Sequence, residues 1–302
     1  MAIAQQLCKP SIGCERLNQM KPVTLAIIGD SAASGVGDSN ESGVNLGWSY
    51  YLAKSFENPL VFINVARPGA QSFEVLQTQL PRVQQHNPDI CAVIVGGNDL
   101  LRNGFDPEQL HMNLRQTVRA LTESNALVLM ILLHDPTEIV PMPKLLANVL
   151  DRRVRSVNAV TTAVAREFGA VLLDTRKIVD IYNLSNWHID RMHPSKIGHQ
   201  RIALEFRKLI SDFGFQIAEI EVDNEITRSK KHSILWMLRN GTPWFLKRSV
   251  DLLPAALLLM IIEGARSFIS RKSNQVGADL LAPKFIQYQD LESTEISEVK
   301  IS

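Results

Sequence analysis

The sequence has no excess of charge of either sign. Its 302 residues carry 32 Lys and Arg against 31 Asp and Glu, a formal net charge of +1. Nucleic-acid-binding proteins normally show a basic excess, so this balance argues against a nucleic-acid partner. With 45% hydrophobic and 21% charged residues, the composition is that of a globular protein with one large domain and an appendage.

Cysteine is scarce as well. The three cysteines, Cys8, Cys14 and Cys91, argue against a disulfide framework. Cys91 lies within an apolar run, which favours a small buried side chain over a reactive thiol. Cys8 and Cys14 have no His or Cys partner at metal-binding spacing.

Long apolar segments are also missing. Residues 1–21 lack a charged start followed by an apolar core, so no secretory signal is predicted and a cytoplasmic location is expected. The apolar run 252–262 has eleven residues, whereas about 20 are needed to span a bilayer. Aromatic and basic residues precede that run, as in interfacial anchors. Residues 233–272 therefore either contact a membrane peripherally or form a helical hairpin packed on the rest of the protein or on a dimer partner.

Short apolar runs rich in β-branched residues do recur along the chain. They span 23–28, 60–65, 90–95, 126–133 and 170–174, and runs this continuous suit parallel strands covered on both faces. Helical spacing of apolar residues predicts helices over 106–124, 144–168 and 195–211; the last would bury Ile202, Phe206, Leu209 and Ile210. Alternating strands and helices predict an α/β fold, a doubly wound sandwich whose ligands bind at the carboxyl ends of the strands.

The first strand ends in IIGDSAASGVGD, residues 27–38. A phosphate loop would require a lysine that is missing, and a dinucleotide fingerprint would require Gly-x-Gly-x-x-Gly directly after the strand. The Gly-x-Ser-x-Gly elbow of α/β-hydrolases is also absent, because Ala33 stands at the second glycine position. Ser31 is therefore either an ordinary turn residue or a nucleophile between a strand and a helix.

His193 is the histidine best placed to activate such a serine. Asp190 precedes it by three residues and Pro194 follows it, and a proline in the first turn of the last helix would fix His193 at the helix start. Asp190 would then accept a hydrogen bond from one ring nitrogen while the other faces Ser31. The alternative is that Asp190 caps the helix and His193 is a surface residue.

Oxyanion donors would have to follow the second and third strands. Gly69, in NVARPGAQS, offers a backbone N–H with no Cβ in the way, and Asn98, in VGGNDL, offers an amide. The alternatives are a Pro-Gly turn for Gly69 and a helix or turn cap for Asn98.

Taken jointly, GDS, N-x-A-x-x-G, G-x-N-D and D-x-x-H-P resemble the SGNH (GDSL-type) hydrolase family, in the family's order and over about residues 22–212. Ala32 replaces the usual leucine of the first block. The resemblance implies Ser31 as nucleophile, His193 as base and Asp190 as its orienting acid. It further implies an oxyanion hole formed by the Ser31 N–H together with Gly69 and Asn98.

The resemblance also implies a flavodoxin-like three-layer α/β/α sandwich on a five-stranded, mostly parallel sheet, with no metal or organic cofactor. The expected activity is cleavage of small-molecule or lipid carboxylic esters through an acyl-enzyme. A thioester, an acetylated sugar, or a non-catalytic role in binding a membrane or partner are the alternatives. Asp30, Trp187 and Met192 are candidate substrate contacts; Trp187, Met192 and Tyr182 flank the base and either line an acyl pocket or belong to the core.

Four segments are expected on this basis. They are an N-terminal extension (1–21), a catalytic domain (22–213), an amphipathic and apolar helical region (214–272) and a disordered tail (273–302).

Overall fold

A computed structural model describes residues 22–102, 104–140, 142, 144–223 and 261–262. Within these ranges five strands form one sheet in the order β2-β1-β3-β4-β5, and every neighbouring pair is parallel. The strands are β1 (Val23–Gly29), β2 (Leu60–Asn64), β3 (Ile90–Ile94), β4 (Leu127–Leu132) and β5 (Val171–Asp174). The predicted five-stranded α/β sandwich is confirmed.

The continuous apolar strands supply two hydrophobic cores, because successive side chains point to opposite faces of the sheet. Leu25 and Ile27 of β1 pack into one core, and Ala26 and Ile28 pack into the other. Cys91 is fully buried in the second core, as its apolar surroundings predicted.

Helices cover both faces. Helices α1 (Gly47–Ser55) and α6 (Lys196–Ile210) pack on the first core. On the second core lies α2, which opens as Ser72–Glu74, widens into a π-helical turn over Val75–Gln79 and ends as Leu80–Gln84. The short α3 (Gly97–Leu100), α4 (Pro107–Glu123) and α5 (Lys144–Phe168) complete this layer, and four 3₁₀ turns lie in the connections, at Pro136–Glu138, Thr175–Lys177, Leu184–Asn186 and Ser211–Phe213.

The start of α6 corrects one prediction. The helix begins at Lys196, and the hydroxyl of Ser195 caps it by accepting from the Gly198 N–H at 3.3 Å. Pro194 therefore precedes the cap and is not in the first helical turn.

The buried face of α6 corrects a second prediction. Ile202, Phe206 and Ile210 are buried, but Leu209 is 38% exposed. Ala203, which is fully buried, belongs to the same face. Leu209 lies at the margin of this face, so its helical spacing from Ile202 did not ensure burial.

Residues 214–223 pack back onto the first core. Phe215, Ile217 and Ile220 contact that core, and the Ala218 N–H donates to the Ser55 carbonyl at 2.8 Å. The chain divides into two compact units at Leu259, and of the second unit, Met260–Ser302, only residues 261–262 are described; both are helical.

Most of the expected flanking segments lie outside the described residues. These are the N-terminal extension (1–21), nearly all of the C-terminal region beyond 223 and the tail (273–302). Among the helices that the structure describes, none has the length and apolar character needed to cross a membrane.

Candidate active site

Ser31 lies in the tight turn that follows β1. Gly29 has φ +145°, and a Cβ on this residue would overlap the carbonyl oxygen of Ile94 on the neighbouring strand, so only glycine fits. The Asp30 N–H donates to that same carbonyl at 3.0 Å, and Asp30 Oδ1 accepts from the Ala32 N–H at 3.0 Å. These bonds hold Ser31 at the carboxyl edge of the sheet.

His193 lies in a short hairpin before α6. Trp187 and Pro194 form an isolated antiparallel bridge, and the His188 N–H donates to the His193 carbonyl at 2.8 Å. The turn closes at Arg191, which has φ +57° and donates its N–H to the His188 carbonyl at 2.9 Å. The hairpin, and not the helix, fixes the position of the imidazole.

Asp190, His193 and Ser31 form one hydrogen-bonded chain. His193 Nε2 lies 2.8 Å from Ser31 Oγ, and His193 Nδ1 lies 2.8 Å from Asp190 Oδ2. Asp190 Oδ1 accepts from the backbone N–H groups of Met192 and His193 at 2.9 and 3.0 Å. Asp190 thus does not cap α6. His188 Nδ1 lies 3.3 Å from Asp190 Oδ2, so a second imidazole approaches the same carboxylate.

The pKa values of the two acidic side chains of the site, Asp190 and Asp30, are shifted in opposite directions. Burial alone would raise the pKa of Asp190, but the hydrogen bonds with His188 and His193 outweigh it and hold the pKa well below its usual range. Asp190 is therefore ionised and can stabilise an imidazolium. Burial raises the pKa of Asp30 to about 6, and the hydrogen bond from the Ala32 N–H opposes this shift only in part.

Asn98 and Gly69 lie in the adjacent connections that follow β3 and β2. Asn98, in α3, donates from Nδ2 to the Ala70 carbonyl at 3.2 Å. Gly69 has φ +85° in a turn closed by the Ala70 N–H donating to the Arg67 carbonyl at 3.1 Å, the Pro-Gly turn considered as its alternative. Asn98 lines the same cavity as Ser31, whereas Gly69 is not among the described residues that line it.

This cavity, of about 310 Å³, opens beside Ser31 and is mainly apolar. Of the candidate substrate contacts, Asp30, Trp187 and Met192 line it. Tyr182 does not; its hydroxyl accepts from the Asp135 N–H at 3.5 Å. The apolar wall includes Leu100, Leu101, Ile131, Leu133, Val140, Met142, Leu150 and Val154.

Two residues that the sequence patterns did not single out, Gln79 and His134, support this site. Gln79, in the π-helical turn, is buried; its amide donates to the Gly29 carbonyl at 2.9 Å and accepts from the Gly29 N–H at 2.7 Å. His134 lines the cavity and packs against Trp187 with ring centroids 4.1 Å apart. Burial lowers the pKa of His134 to about 4, so it is neutral near pH 7. No local motif marks Gln79 or His134, because each contacts a residue that is distant in the sequence.

In the part of the chain that the structure describes, no group of three or more His, Cys, Asp or Glu side chains lies close enough together to hold a metal ion.

Comparison with known proteins agrees with this fold. The Escherichia coli protein named thioesterase 1/protease 1/lysophospholipase L1 is 28% identical over 181 residues, covering 60% of this chain and 79% of the relative. The esterase EstA of Pseudoalteromonas sp. superposes with a TM-score of 0.50 at 22% identity, covering 63% of this chain and 97% of EstA.

A mutant of Axe2, an acetyl-xylooligosaccharide esterase of Geobacillus Stearmophilus, superposes with a TM-score of 0.52 at 19% identity, covering 66% of this chain and 97% of Axe2. Structural likeness at this identity shows a shared fold. The profile described as GDSL-like Lipase/Acylhydrolase family matches residues 27–201, more than half of the chain and the whole stretch from the end of β1 into α6. The chain therefore belongs to the GDSL-like lipase/acylhydrolase family.

Proposed function

We propose that this protein is a serine hydrolase that cleaves carboxylic esters through an acyl-enzyme on Ser31. The observation that carries the proposal is the continuous chain of 2.8 Å hydrogen bonds from Asp190 through His193 to Ser31 at an apolar cavity. A nucleophile, its base and an orienting carboxylate in this order suit acyl transfer.

The ionised Asp190 carboxylate accepts from His193 Nδ1–H, which leaves the Nε2 lone pair facing Ser31. As Ser31 Oγ attacks the ester carbon, its proton passes to Nε2 and the carbonyl oxygen becomes an oxyanion. His193 then donates that proton to the leaving oxygen as the bond to it breaks. Water then attacks the acyl carbon while the same imidazole takes its proton. The imidazolium returns that proton to Ser31 Oγ as the acyl bond breaks and the carboxylic acid leaves.

Three donors are proposed to hold the oxyanion: the Ser31 N–H, the Asn98 amide and the Gly69 N–H. Asn98 supports this assignment most directly, because it lines the cavity beside Ser31. Its bond to the carbonyl of Ala70, the residue after Gly69, supports including Gly69. The assignment predicts that the three donors converge on one substrate oxygen in an acyl complex.

The lining of the cavity supports an aliphatic acyl group as substrate. Burying a methylene from water is favourable by about 0.8 kcal/mol, so a wall of Leu, Ile, Val and Met side chains selects for chain length. A thioester is the second candidate, favoured by the name of the Escherichia coli relative. An acetylated sugar would leave most of this wall without a partner.

A fluorophosphonate probe tests the proposal, because it labels only an activated serine. We expect labelling of the wild type and none of Ser31→Ala. Ser39→Ala removes an exposed hydroxyl from the same loop and serves as the control that keeps labelling. Labelling of Ser31→Ala equal to wild type, or an unlabelled wild type that is folded, would refute the mechanism.

We also propose the expected division into segments and the cytoplasmic location, which rest on the sequence patterns alone. We further propose that residues 233–272 contact a membrane peripherally, because Trp236, Trp244 and Phe245 accompany basic residues there. Replacing the three aromatic residues with serine in the full chain should reduce flotation with anionic liposomes. Unchanged flotation would remove membrane contact from the proposal.

A further inference from the structure

We propose that Arg191 binds a phosphate on the leaving group of the substrate, so that the preferred ester joins an aliphatic acyl chain to a phosphorylated alcohol or thiol. This inference rests on the proposed hydrolase function. It assigns Arg191 as a residue that determines specificity and not as a catalytic one.

The order of proton transfers sets the side on which the leaving group lies. His193 Nε2 must reach the leaving atom to protonate it, so the leaving group lies on the imidazole side of Ser31. Arg191 is two residues from His193 in the same hairpin and lines the same cavity. The rest of the lining is mainly apolar and includes Leu133, Leu150 and Val154, which suit an acyl chain.

The Arg191 side chain is available for a ligand. Among the described residues, none forms a hydrogen bond or ion pair with its guanidinium, and the residue is half-buried. The neighbouring carboxylate, Asp190, is already engaged by His193 and by two backbone N–H groups. Arg207, which is also half-buried, forms an ion pair with Glu219 instead.

Charge within the cavity points the same way. Arg191 is the one lysine or arginine among the described residues that line it. A guanidinium presents a planar set of donors that matches phosphate oxygens in pairs. A substrate with an apolar chain on one side of the scissile bond and a phosphate on the other would contact both the apolar lining and Arg191.

The phosphate could belong to a lipid headgroup or to a carrier thioester, and matched pairs of substrates distinguish the two. Octanoyl glycerol phosphate against octanoyl glycerol tests a lipid headgroup, and octanoyl phosphopantetheine against octanoyl pantetheine tests a carrier thioester. Each pair differs only in the phosphate. The full-length enzyme is compared with Arg191→Asn, which tolerates a positive φ, and with Arg191→Lys, which retains the charge. Arg82→Gln removes an exposed arginine from α2, outside the cavity, as the control.

We expect Arg191→Asn to lower kcat/KM for the phosphorylated member of at least one pair by about tenfold to a hundredfold, chiefly through KM. Its neutral partner should change by less than about twofold, Arg191→Lys should recover part of the loss, and added salt should weaken the wild-type preference. Fluorophosphonate labelling of Arg191→Asn at the wild-type rate shows that the fold and the nucleophile are intact.

Equal loss on both members of each pair, or no loss on any substrate, would overturn the assignment of Arg191 while leaving the hydrolase intact. A variant that loses labelling as well as hydrolysis would show that Arg191 holds the hairpin, and would overturn it too. A wild type that is labelled but hydrolyses none of the four substrates would also overturn the proposed substrate class while leaving the activated serine intact. A folded wild type that is not labelled and hydrolyses none of them would instead refute the hydrolase itself.

Discussion

The Asp99 carboxylate accepts hydrogen bonds from both the backbone N–H and the hydroxyl of Ser72, at 3.1 and 2.5 Å. This pair joins the loop after β2, which carries Gly69, to the loop after β3, which carries Asn98. Asn113 of α4 donates to the Ser72 hydroxyl at 3.0 Å and extends the network. Burial raises the pKa of Asp99, although the bonds from Ser72 oppose the shift. The two loops proposed to bind the oxyanion are therefore fixed to each other before a substrate arrives.

Removing the Ser72 hydroxyl should weaken this connection. We expect Ser72→Ala to lower the free energy of unfolding by about 1–3 kcal/mol, because a buried carboxylate and the Asn113 amide each lose a partner. Turnover should fall with it while KM changes little. Ser124→Ala, which removes an exposed hydroxyl, is the control for urea unfolding and ester kinetics. Unchanged stability and turnover in Ser72→Ala would show that the loops hold their positions without this bond.

Asn98→Ala should lower kcat by roughly 10²–10³ with little effect on KM, because an oxyanion donor acts mainly in the transition state. The measurement is steady-state hydrolysis of a chromogenic ester. Asn98 also donates to the Ala70 carbonyl, so thermal unfolding must accompany the kinetics. A loss confined to stability, with kcat retained, would assign Asn98 to the loop connection alone.

Asp190→Asn should lower kcat by about 10⁴, as expected when the carboxylate partner of a catalytic histidine becomes an amide. An amide nitrogen facing His193 Nδ1 would favour the tautomer that carries its proton on Nε2, which cannot accept from Ser31. The pH profile of kcat and fluorophosphonate labelling check this result. A variant with near-normal turnover would mean that His188, the second imidazole near this carboxylate, or another group orients the base.

Gly37→Ala should displace His193, the proposed base, because Gly37 packs against its hairpin. Gly37 has φ +104°, and a Cβ here would overlap the Pro194 carbonyl oxygen and lie 3.3 Å from the His193 Cβ. We expect lower thermal stability and a fall in kcat of at least tenfold, on the scale of 1.4 kcal/mol. Gly43→Ala is a matched control, since Gly43 has φ +77° with no neighbour within 4 Å of a Cβ. Equal effects of the two substitutions would assign the change to backbone strain alone.

His199 should make the fold sensitive to acid. It is fully buried, accepts from the Trp48 N–H at 3.2 Å and donates to the Val36 carbonyl at 3.0 Å. Burial lowers its pKa to about 4 from an ordinary 6.5. Between these values the unfolded chain binds more protons, so stability rises with pH and falls by about 3 kcal/mol as pH drops from 6.5 to 4.

Urea unfolding of wild type and His199→Gln over this pH range measures the effect. Asp30, with its pKa raised to about 6, titrates in the same window with the opposite sign, but it is common to both proteins. The wild type should therefore show the steeper loss on acidification. Parallel curves would contradict the assignment of this sensitivity to His199.

The central strands were predictable because burial on both faces requires continuous apolar sequence. The run 90–95, for example, became β3, Ile90–Ile94. The prediction that every strand is covered on both faces was wrong for β2, which lies at the edge of the sheet and exposes Val61 and Phe62.

The N-terminus of α4 was predictable because its signals are local: the Asp106 side chain caps the helix and Pro107 opens it. The start of α6 was not predictable, because Pro194 and Ser195 are both residues typical of a helix start. Pro194 instead pairs with Trp187 in the preceding hairpin, and Ser195 caps the helix.

The candidate triad could be anticipated because each motif follows a strand, and parallel strands end at one sheet edge. The supporting residues could not. Gln79 reaches Gly29 only through the π-helical turn of α2, and Ser72 reaches Asp99 only when two loops meet. Arg191 carries no motif, and its lack of a partner among the described residues appears only in three dimensions.

Ser31 and His193 are separated by 162 positions in the chain, with all but the first strand between them. During synthesis on the ribosome, all five strands are therefore made before His193 is added. A truncated or incompletely translated product that ends before the last hairpin would carry the serine without its base. If the proposed mechanism is right, such fragments would lack hydrolase activity, so the order of residues along the chain would delay activity until the last hairpin is made.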